Sequence, residues 1–379
     1  MIKDFKVTNY RSIKDVWLRL QPINVIVGPN GVGKSNLYRA LYLVSAAATG
    51  QLSMALATEG SVGAALWAGP HGKKSKAEIE VSVTVDEFQY NLACGPMRCD
   101  GGCHQRPEVF KSDAEIKSEE VYRWQKGHKH SLLKRGRVYV EARNASGKMV
   151  DYTKQVRDNE SVLTGLRDPF AFPDLFALRE EFLNWRFFHD FRTDVDSPLR
   201  KPRISVMTPL MSHDGGDFVA ALATIQAVDE DALTESLELA FPGSKLDFEQ
   251  TPSGLDLLML GPNMRRPLKV HELSDGTLQY LCLIAALLSA RPPSLLALNE
   301  PETSVHPRLY EHLARLIVAS SERSQLWITT HSTELADYIL ELSGCIPIEL
   351  EKVEGETRMV GVGLGGYRED DEEEPEQAE

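Results

Sequence analysis

The sequence predicts an α/β protein with a mainly parallel sheet, an N-terminal antiparallel β lobe and a helical insertion. Three observations lead to this prediction. From Leu273 onward, helix-like and strand-like segments alternate, as expected of a parallel sheet covered by helices. Residues 2–27 read as successive strands, and residues 78–86 alternate polar and apolar side chains as a half-buried strand does. Residues 28–35 form a glycine-rich segment between a strand and a helix.

The individual elements follow from hydrophobic periodicity and from the residues that interrupt it. Pro242-Gly243 and Pro292-Pro293 each end a helical pattern. The predicted helices cover about 35–48, 229–241, 273–290, 307–320 and a segment from Ser332, and the later strands cover 137–144, SLLAL and QLWITT. No internal repeat and no sustained heptad pattern is present, so the sequence does not predict a long coiled coil.

Composition places the chain among soluble globular proteins. Its 379 residues are 42% hydrophobic and 26% charged. The sequence contains no apolar run of roughly 20 residues and no signal-peptide pattern, which predicts a cytoplasmic protein without a membrane partner. Five irregularly spaced cysteines are not a secreted disulfide framework. The net charge of −13 is concentrated in the last eleven residues; without their eight acids, 47 acidic residues face 42 basic ones.

The segment GPNGVGKS at 28–35 matches the pattern G-x-x-x-x-G-K-[ST] and lies between an apolar strand and a helix, the context that gives this pattern its meaning. Glycines allow backbone N–H groups to surround phosphates at the positive end of a helix. Lys34 should neutralise the β- and γ-phosphates, and the Ser35 hydroxyl should ligate Mg²⁺. The alternative is a chance glycine-rich turn. The predicted nucleotide-binding residues here are Gly28, Asn30, Gly31, Gly33, Lys34, Ser35 and Asn36.

Four further segments accompany this loop: NYRSIKDV near the N-terminus, LSDGTLQYL at 273–281, NEPETSVHP at 299–307 and TTHS at 329–332. Together they resemble ABC-class ATPases of the SMC/RecF-like branch, and more narrowly the stand-alone AAA ATPases related to the OLD family (overcoming lysogenisation defect). The resemblance covers about residues 1–45 and 265–345. It implies a P-loop NTPase fold and an ATPase that uses ATP and Mg²⁺.

The resemblance also implies a mechanism. Two ATP molecules would be sandwiched in a head-to-tail homodimer, each closed by Ser274, Asp275 and Gly276 of the other subunit. Glu300 would polarise the attacking water, His331 would contact the γ-phosphate, and Thr303 to Pro307 would match the segment that crosses the dimer interface. The alternative for LSDGT is an ordinary helix N-cap. Glu302 is expected only to serve the start of the following helix.

Asn299 departs from the general pattern, in which an aspartate precedes the catalytic glutamate and holds a Mg²⁺-bound water. Asparagine keeps an acceptor oxygen and loses the charge. We therefore expect slow hydrolysis with ATP-gated dimerisation intact. A second hypothesis is a non-catalytic, ATP-gated binding module that holds an effector. A third, a monomeric P-loop kinase or GTPase, is disfavoured by LSDGT and TTHS.

Several residues keep two interpretations at this stage. Arg11 matches a basic residue that reaches the nucleotide in the family, or is a solvated strand charge. Gln155 and Gln226 are both candidates for the glutamine loop. Cys94, Cys99 and Cys103, with His104, are either zinc ligands or a reduced cysteine-bearing loop.

The basic stretches 121–137, 199–203 and 264–266 suit DNA contact or keep strand edges soluble.

The predicted organisation has an ATPase lobe at 1–150, a helical insertion with the rest of that lobe at 151–265, a second lobe at 266–365 and a disordered acidic tail at 366–379. OLD-like relatives often carry a C-terminal nuclease domain. About thirty residues follow the last predicted helix, so we expect any nuclease activity to come from an effector partner. The resemblance points to DNA repair or anti-phage defence as the setting.

Overall fold

The computed structural model describes residues 1–70, 77–97, 113–203 and 205–361. The chain divides into two compact units. Unit 1 consists of Met1–Gln21, Gly28–Leu183 and Ile348–Glu379, and unit 2 of Pro22–Val27 and Asn184–Pro347. Each unit is therefore built from segments that are distant in the sequence.

Unit 1 contains an antiparallel sheet with one buried and one exposed face. In β1, Phe5 and Val7 are fully buried and Lys6 between them is exposed, so the sequence alternation becomes the two faces of the sheet. The strand order is β2-β1-β4-β5-β6-β7-β8-β9. These strands are β1 (Ile2–Tyr10), β2 (Ile13–Arg19), β4 (Ile79–Val85), β5 (Phe88–Pro96), β6 (Ala114–Gln125), β7 (His128–Arg135), β8 (Val140–Arg143) and β9 (Met149–Asp151).

The helices of unit 1 and a hairpin from near the C-terminus complete that unit. The helices are α1 (Lys34–Thr49), α2 (Leu52–Thr58), α3 (Val62–Ala65), α4 (Val162–Gly165) and α5 (Pro173–Leu183), with a 3₁₀ turn at Thr153–Gln155. The hairpin consists of β16 (Ile348–Val353) and β17 (Glu356–Met359), paired antiparallel. The backbone N–H of Thr357 donates to the carbonyl of Ser12, which joins the hairpin to the β1–β2 turn.

Unit 2 contains the predicted parallel sheet. Its strands β10 (Arg186–Phe188), β14 (Leu295–Asn299), β15 (Gln325–Thr330) and β3 (Ile23–Val27) lie in that order and all run parallel. Every residue of β15 is buried, as expected of a strand covered on both faces. Because parallel strands end at one edge, residues that follow β10, β14 and β15 meet there.

The described residues of unit 2 also form helices and a small antiparallel sheet. The helices are α6 (Phe218–Val228), α7 (Glu230–Ala240), α8 (Asp275–Leu287), α9 (Tyr310–Ser320) and α10 (Thr333–Ser343), and the strands are β11 (Lys245–Thr251), β12 (Gly254–Leu260) and β13 (Leu268–Lys269). Short 3₁₀ turns lie at Pro198–Arg200, Val270–Glu272 and Pro307–Leu309. The helix predicted over 273–290 is shorter at both ends, since Ser274 caps it at the start and Leu288 follows its last residue.

In the described part of the chain, every helix is too short or too polar to cross a bilayer. The fold class predicted from the sequence is confirmed.

Candidate functional site

The predicted phosphate loop lies in unit 1 and leads into α1. Gly33 precedes the helix in a left-handed conformation, and Lys34 is its first residue. Lys34 is 4% exposed, and its ammonium donates to the carbonyls of Gly28 at 2.6 Å and Pro29 at 3.3 Å. The first turn of α1 carries no acidic residue, so the positive end of this 16-residue helix keeps its attraction for an anion.

A chain of hydrogen bonds braces this loop against the C-terminal hairpin. The Asn36 amide donates to Ser12 Oγ at 2.8 Å, and Ser12 Oγ lies 2.7 Å from Thr357 Oγ1. The Thr357 hydroxyl donates to the carbonyl of Val32 at 2.7 Å. Because a carbonyl only accepts, Thr357 uses its proton there, and Ser12 must donate to Thr357. The four groups therefore form one directed chain that ends on the loop backbone.

Two glycines of the loop are required by their surroundings as well as by the motif. A Cβ on Gly28 would lie 2.7 Å from the carbonyl oxygen of Leu350 in β16. A Cβ on Gly33, where φ is +113°, would overlap the hydroxyl of Thr357. The hairpin thus packs directly on the phosphate loop. Sequence analysis missed this contact, because the two segments are more than 300 residues apart.

Arg11 has a partner within unit 1. Its Nε donates to Glu59 Oε2 at 2.8 Å, and the Tyr10 hydroxyl donates to the other oxygen of the same carboxylate at 2.5 Å. Burial, followed by the charge of Glu59, raises the pKa of Tyr10. The Arg11 guanidinium is therefore held by Glu59 in this structure, and a role toward a nucleotide stays a prediction.

Asn299 is the last residue of β14 in unit 2, and both its polar atoms are engaged. Its Oδ1 accepts from the Thr329 hydroxyl at 2.8 Å, and its Nδ2 donates to the carbonyl of His189 at 3.3 Å. An aspartate could accept from Thr329 and could not donate to His189. The amide therefore matches its surroundings where a carboxylate would not.

Glu300 follows in a backbone conformation that non-glycine residues rarely adopt, with φ of +48°. Its backbone N–H donates to the carbonyl of Thr329 at 2.7 Å, and its carbonyl accepts from Thr303 N–H at 3.0 Å. Such a conformation costs on the order of 1 kcal/mol and is concentrated at functional sites. The carboxylate is 31% exposed, and its Oε2 lies 3.8 Å from Nδ1 of His331.

Glu302 contradicts the expectation that it serves only the following helix. It is 2% exposed, and its Oε1 accepts from the Thr330 hydroxyl at 2.6 Å and from the backbone N–H of His331 at 3.0 Å. The same oxygen lies 3.0 Å from Nδ1 of His331. The parallel pairing of β14 and β15, in which Asn299 faces Thr329, brings these residues together. The sequence did contain a signal for this contact. A second carboxylate follows β14 in E-P-E, and the polar residues T-T-H lie at the end of the neighbouring strand β15.

A cavity of about 300 Å³ opens beside these residues within unit 2. Asn299, Glu300 and Thr303 line it, together with His189 and Asp190, which follow β10. Gln279 of α8 is the glutamine of this lining, whereas the two glutamine-loop candidates lie in α6 (Gln226) and in a 3₁₀ turn of unit 1 (Gln155). Sequence analysis did not identify His189, Asp190 or Gln279 as residues of a site.

The predicted signature segment forms the start of α8. Ser274 caps the helix by accepting from Thr277 N–H at 3.2 Å, so the N-cap interpretation describes its contact in this structure. Asp275 is 60% exposed and pairs with the Arg200 guanidinium, which also donates to the carbonyl of Leu273. A Cβ on Gly276 would lie 2.6 Å from the carbonyl oxygen of Ser304. Close packing explains the glycine, and the exposed face of the segment remains accessible.

The cysteine cluster is described only in part. Cys94 is buried in β5, where desolvation raises the pKa of its thiol to about 12. Cys99, Cys103 and His104 lie outside the described residues, so the zinc prediction stays untested. Across 1–70, 77–97, 113–203 and 205–361, no three His, Cys, Asp or Glu side chains converge as a metal site would require.

The basic stretches are partly engaged inside the chain. In the β6–β7 hairpin, Lys129 lies 3.8 Å from the ring centroid of Tyr122. Arg266 donates to both oxygens of Glu272, at 2.7 and 2.8 Å. The acidic tail predicted at 366–379 lies outside the described residues.

Comparison with known proteins identifies a family that covers most of the chain and a relative that matches one short stretch. Residues 23–337 match the family described as "AAA domain, putative AbiEii toxin, Type IV TA system". An OLD nuclease from Thermus scotoductus is 48% identical over 44 residues, which is 12% of this chain and 8% of that protein. The aligned stretch is thus a small fraction of the nuclease.

Solved structures of SMC heads resemble the chain as a whole. The SMC head bound to the C-winged helix domain of ScpA has a TM-score of 0.53 and 14% identity, over 96% of this chain and 98% of that one. The Smc head domain of Pyrococcus furiosus, with an extended coiled coil and bound to the C-terminal domain of ScpA, has a TM-score of 0.51 and 13% identity over 96% of each chain. The chain therefore belongs to this AAA family and has the fold of an SMC-type ATPase head.

Proposed function

We propose that this protein is an ATPase that dimerises around two ATP molecules and acts as a switch for an effector protein or DNA. The observation that carries the proposal is the phosphate loop. Its glycines adopt positive φ values, its lysine is held against the loop carbonyls, and its helix begins without an acid. These features suit a triphosphate and have no evident use in a purely structural turn.

In this proposal the loop residues bind the phosphates, the Ser35 hydroxyl would ligate Mg²⁺, and Asn299 would hold a Mg²⁺-bound water. Magnesium keeps several waters and needs few protein oxygens, and Asn299 Oδ1 accepts one hydrogen bond and retains a second lone pair for a water. Bound Mg²⁺ would neutralise charge on the β- and γ-phosphates.

Glu300 supplies the acceptor for hydrolysis. It takes a proton as a water oxygen attacks the γ-phosphorus, and the bond to the ADP oxygen breaks. The rare backbone conformation of Glu300 supports this role, because strain of this kind is retained where a side chain must be aimed. His331, 49% exposed, contacts the γ-phosphate. The products are ADP and phosphate.

The partner subunit contributes the signature segment. Ser274 is exposed at the start of α8, where a hydroxyl and N–H groups can donate to a γ-phosphate. Each ATP is bound by the phosphate loop of one copy of the chain and by the signature segment of the other. ATP therefore holds the two copies together. SMC heads have been crystallised with ScpA domains, and we propose that an effector protein binds here in a comparable way.

A second candidate function is a non-catalytic, ATP-gated module. Asn299 favours it, because the amide cannot supply the charge that orients a Mg²⁺-bound water. Both candidates predict ATP binding, and they differ in turnover.

Calorimetric ATP binding and phosphate release from the wild type, Lys34→Ala and Glu300→Gln separate the candidates. The ATPase proposal predicts binding that Lys34→Ala abolishes and slow turnover that Glu300→Gln removes. Binding with equal phosphate release in the wild type and Glu300→Gln supports the non-catalytic module. Absence of ATP binding by the wild type contradicts both, and turnover above about 10 s⁻¹ contradicts the slow rate assigned to Asn299.

A further inference from the structure

The C-terminal hairpin brings a second lysine to the phosphate loop. Nζ of Lys352, on β16, donates to the carbonyl of Gly31 at 3.3 Å, across 321 positions of the sequence. Lys34, the lysine of the motif, donates to the carbonyls of Gly28 and Pro29. Two ammonium groups therefore contact carbonyls of the same loop, and Lys352 lies outside the motif.

Strand register places Lys352 on the face of the hairpin that packs on this loop. Lys352 lies directly opposite Thr357 in the antiparallel pair, and opposed residues carry their side chains on the same face. The Thr357 hydroxyl donates to the carbonyl of Val32. The two members of one cross-strand pair therefore hold the adjacent carbonyls of Gly31 and Val32.

Within the described part of the chain, no carboxylate neutralises the charge of Lys352. Its ammonium contacts the Gly31 carbonyl there and forms no ion pair. Two glutamates of the hairpin lie on its opposite face, because side chains alternate between the faces of a strand. On that face Arg358 pairs with Glu356 at 3.0 Å and faces Glu351 in register.

The loop is open to a ligand beside this lysine. A Cβ added to Gly31 would meet nothing within 4 Å, whereas the hairpin covers Gly28 and Gly33. Lys352 is itself exposed. Its ammonium has three N–H groups, and the Gly31 carbonyl takes one of them. Two N–H groups therefore remain beside the loop for an anionic ligand.

Three sources of positive potential meet at the loop: the start of α1, Lys34 and Lys352. Opposite charges attract each other across a few ångström, and a helix start attracts anions. A triphosphate carries several negative charges, so it is the kind of ligand that this arrangement suits.

We propose that Lys352 is a nucleotide-binding residue outside the motif, whose positive charge strengthens the binding of the ATP phosphates on the loop. This inference rests on the proposed ATP binding and extends it to the C-terminal hairpin. The alternative is that Lys352 only braces the loop backbone, as Thr357 does.

The salt dependence of ATP binding separates attraction from bracing. Calorimetry of the full chain gives the Kd for ATP with Mg²⁺ at low and at high salt. Lys352→Met should raise the Kd about fivefold to tenfold at ~50 mM salt and about twofold or less at ~500 mM, because ions screen an attraction between charges. Thr357→Val removes the neighbouring brace without a change of charge, so it should raise the Kd by the same factor at both salt concentrations.

Three further variants control for charge and for position. Lys352→Arg keeps the charge and should bind ATP within about twofold of the wild type, whereas Lys352→Gln removes the charge and should match Lys352→Met. Lys134→Met, the same change at an exposed lysine of β7, should leave the Kd within about twofold of the wild type.

The outcomes distinguish this inference from the proposed function. A Kd of Lys352→Met within about twofold of the wild type at low salt overturns the inference, and so does a loss that is equal at both salt concentrations. A wild type that binds no ATP overturns the proposed function and this inference with it. ATP binding that Lys34→Ala abolishes and Lys352→Met leaves intact overturns this inference alone.

Discussion

The side-chain amide of Asn299 donates a hydrogen bond of 3.3 Å to the carbonyl oxygen of His189, so the loop after β10 is tied to the end of β14. The same side chain accepts from Thr329 at 2.8 Å. An amide carries both a donor and an acceptor, so it satisfies both neighbours. This explains an asparagine at a position where the general pattern has aspartate.

Asn299→Asp should therefore lower the stability of the fold and raise the affinity for Mg²⁺. The new carboxylate faces the His189 carbonyl without a donor, which should destabilise the fold by about 1–2 kcal/mol. Its charge should lower the Mg²⁺ concentration required for nucleotide binding. Thermal unfolding without metal and a Mg²⁺ titration of ATP binding measure the two effects. Asn91→Asp, on β5, is the control, and an Asn299→Asp protein with wild-type values in both assays would refute the account.

Thr357→Val tests the brace between the C-terminal hairpin and the phosphate loop. Valine preserves the shape and removes the hydroxyl that donates to the Val32 carbonyl. Loss of a bond of about 1 kcal/mol should weaken ATP binding roughly fivefold by loosening the loop. Calorimetry gives the Kd. Thr58→Val is the matched control, because that hydroxyl donates only within its own helix, to Ala55; equal losses in both variants would argue against a specific brace.

Gly276→Ala tests how closely the signature segment packs on the loop after β14. The added Cβ would lie 2.6 Å from the Ser304 carbonyl, so the loop must move. We expect destabilisation of about 1–3 kcal/mol, seen as a lower midpoint in denaturant. Gly63→Ala in α3 is the control, since its nearest neighbour lies 3.7 Å away. A Gly276→Ala midpoint equal to that of the wild type contradicts the packing.

Cysteine labelling tests the burial of the thiols. Burial raises the pKa of Cys94 to about 12 and raises that of Cys282 as well, so both should resist alkylation in the native protein at pH 8. Peptide mass spectrometry before and after denaturation identifies the labelled sites. The exposed thiol of a denatured sample serves as the positive control. Native labelling of Cys94 at the denatured rate would mean that the end of β5 is open to solvent.

Local patterns were sufficient to predict several of the helices and strands. The Ser332 start of α10 and the Pro242-Gly243 stop of α7 depend on neighbouring residues, and both are found in the structure close to the predicted places. The apolar run of β15 predicted a buried strand, and every residue of β15 is buried. The predicted domain boundaries remain predictions.

Contacts between distant segments were beyond local patterns. Glu302 reaches His331 through the register of β14 with β15, and Thr357 reaches Val32 across more than 300 residues. Nothing in the spacing of either pair indicates contact. Sequence reasoning therefore predicted the motif residues and missed the residues that contact them.

Light scattering of Glu300→Gln with and without ATP and Mg²⁺ is the most direct test of the ATP-gated dimer. The account predicts a mass of 42.3 kDa without nucleotide that doubles when ATP and Mg²⁺ are added. Adding Ser274→Arg should abolish the doubling while ATP still binds, because the changed residue acts from the partner subunit. A mass that stays at 42.3 kDa with ATP bound would contradict the sandwich dimer and the role assigned to Ser274.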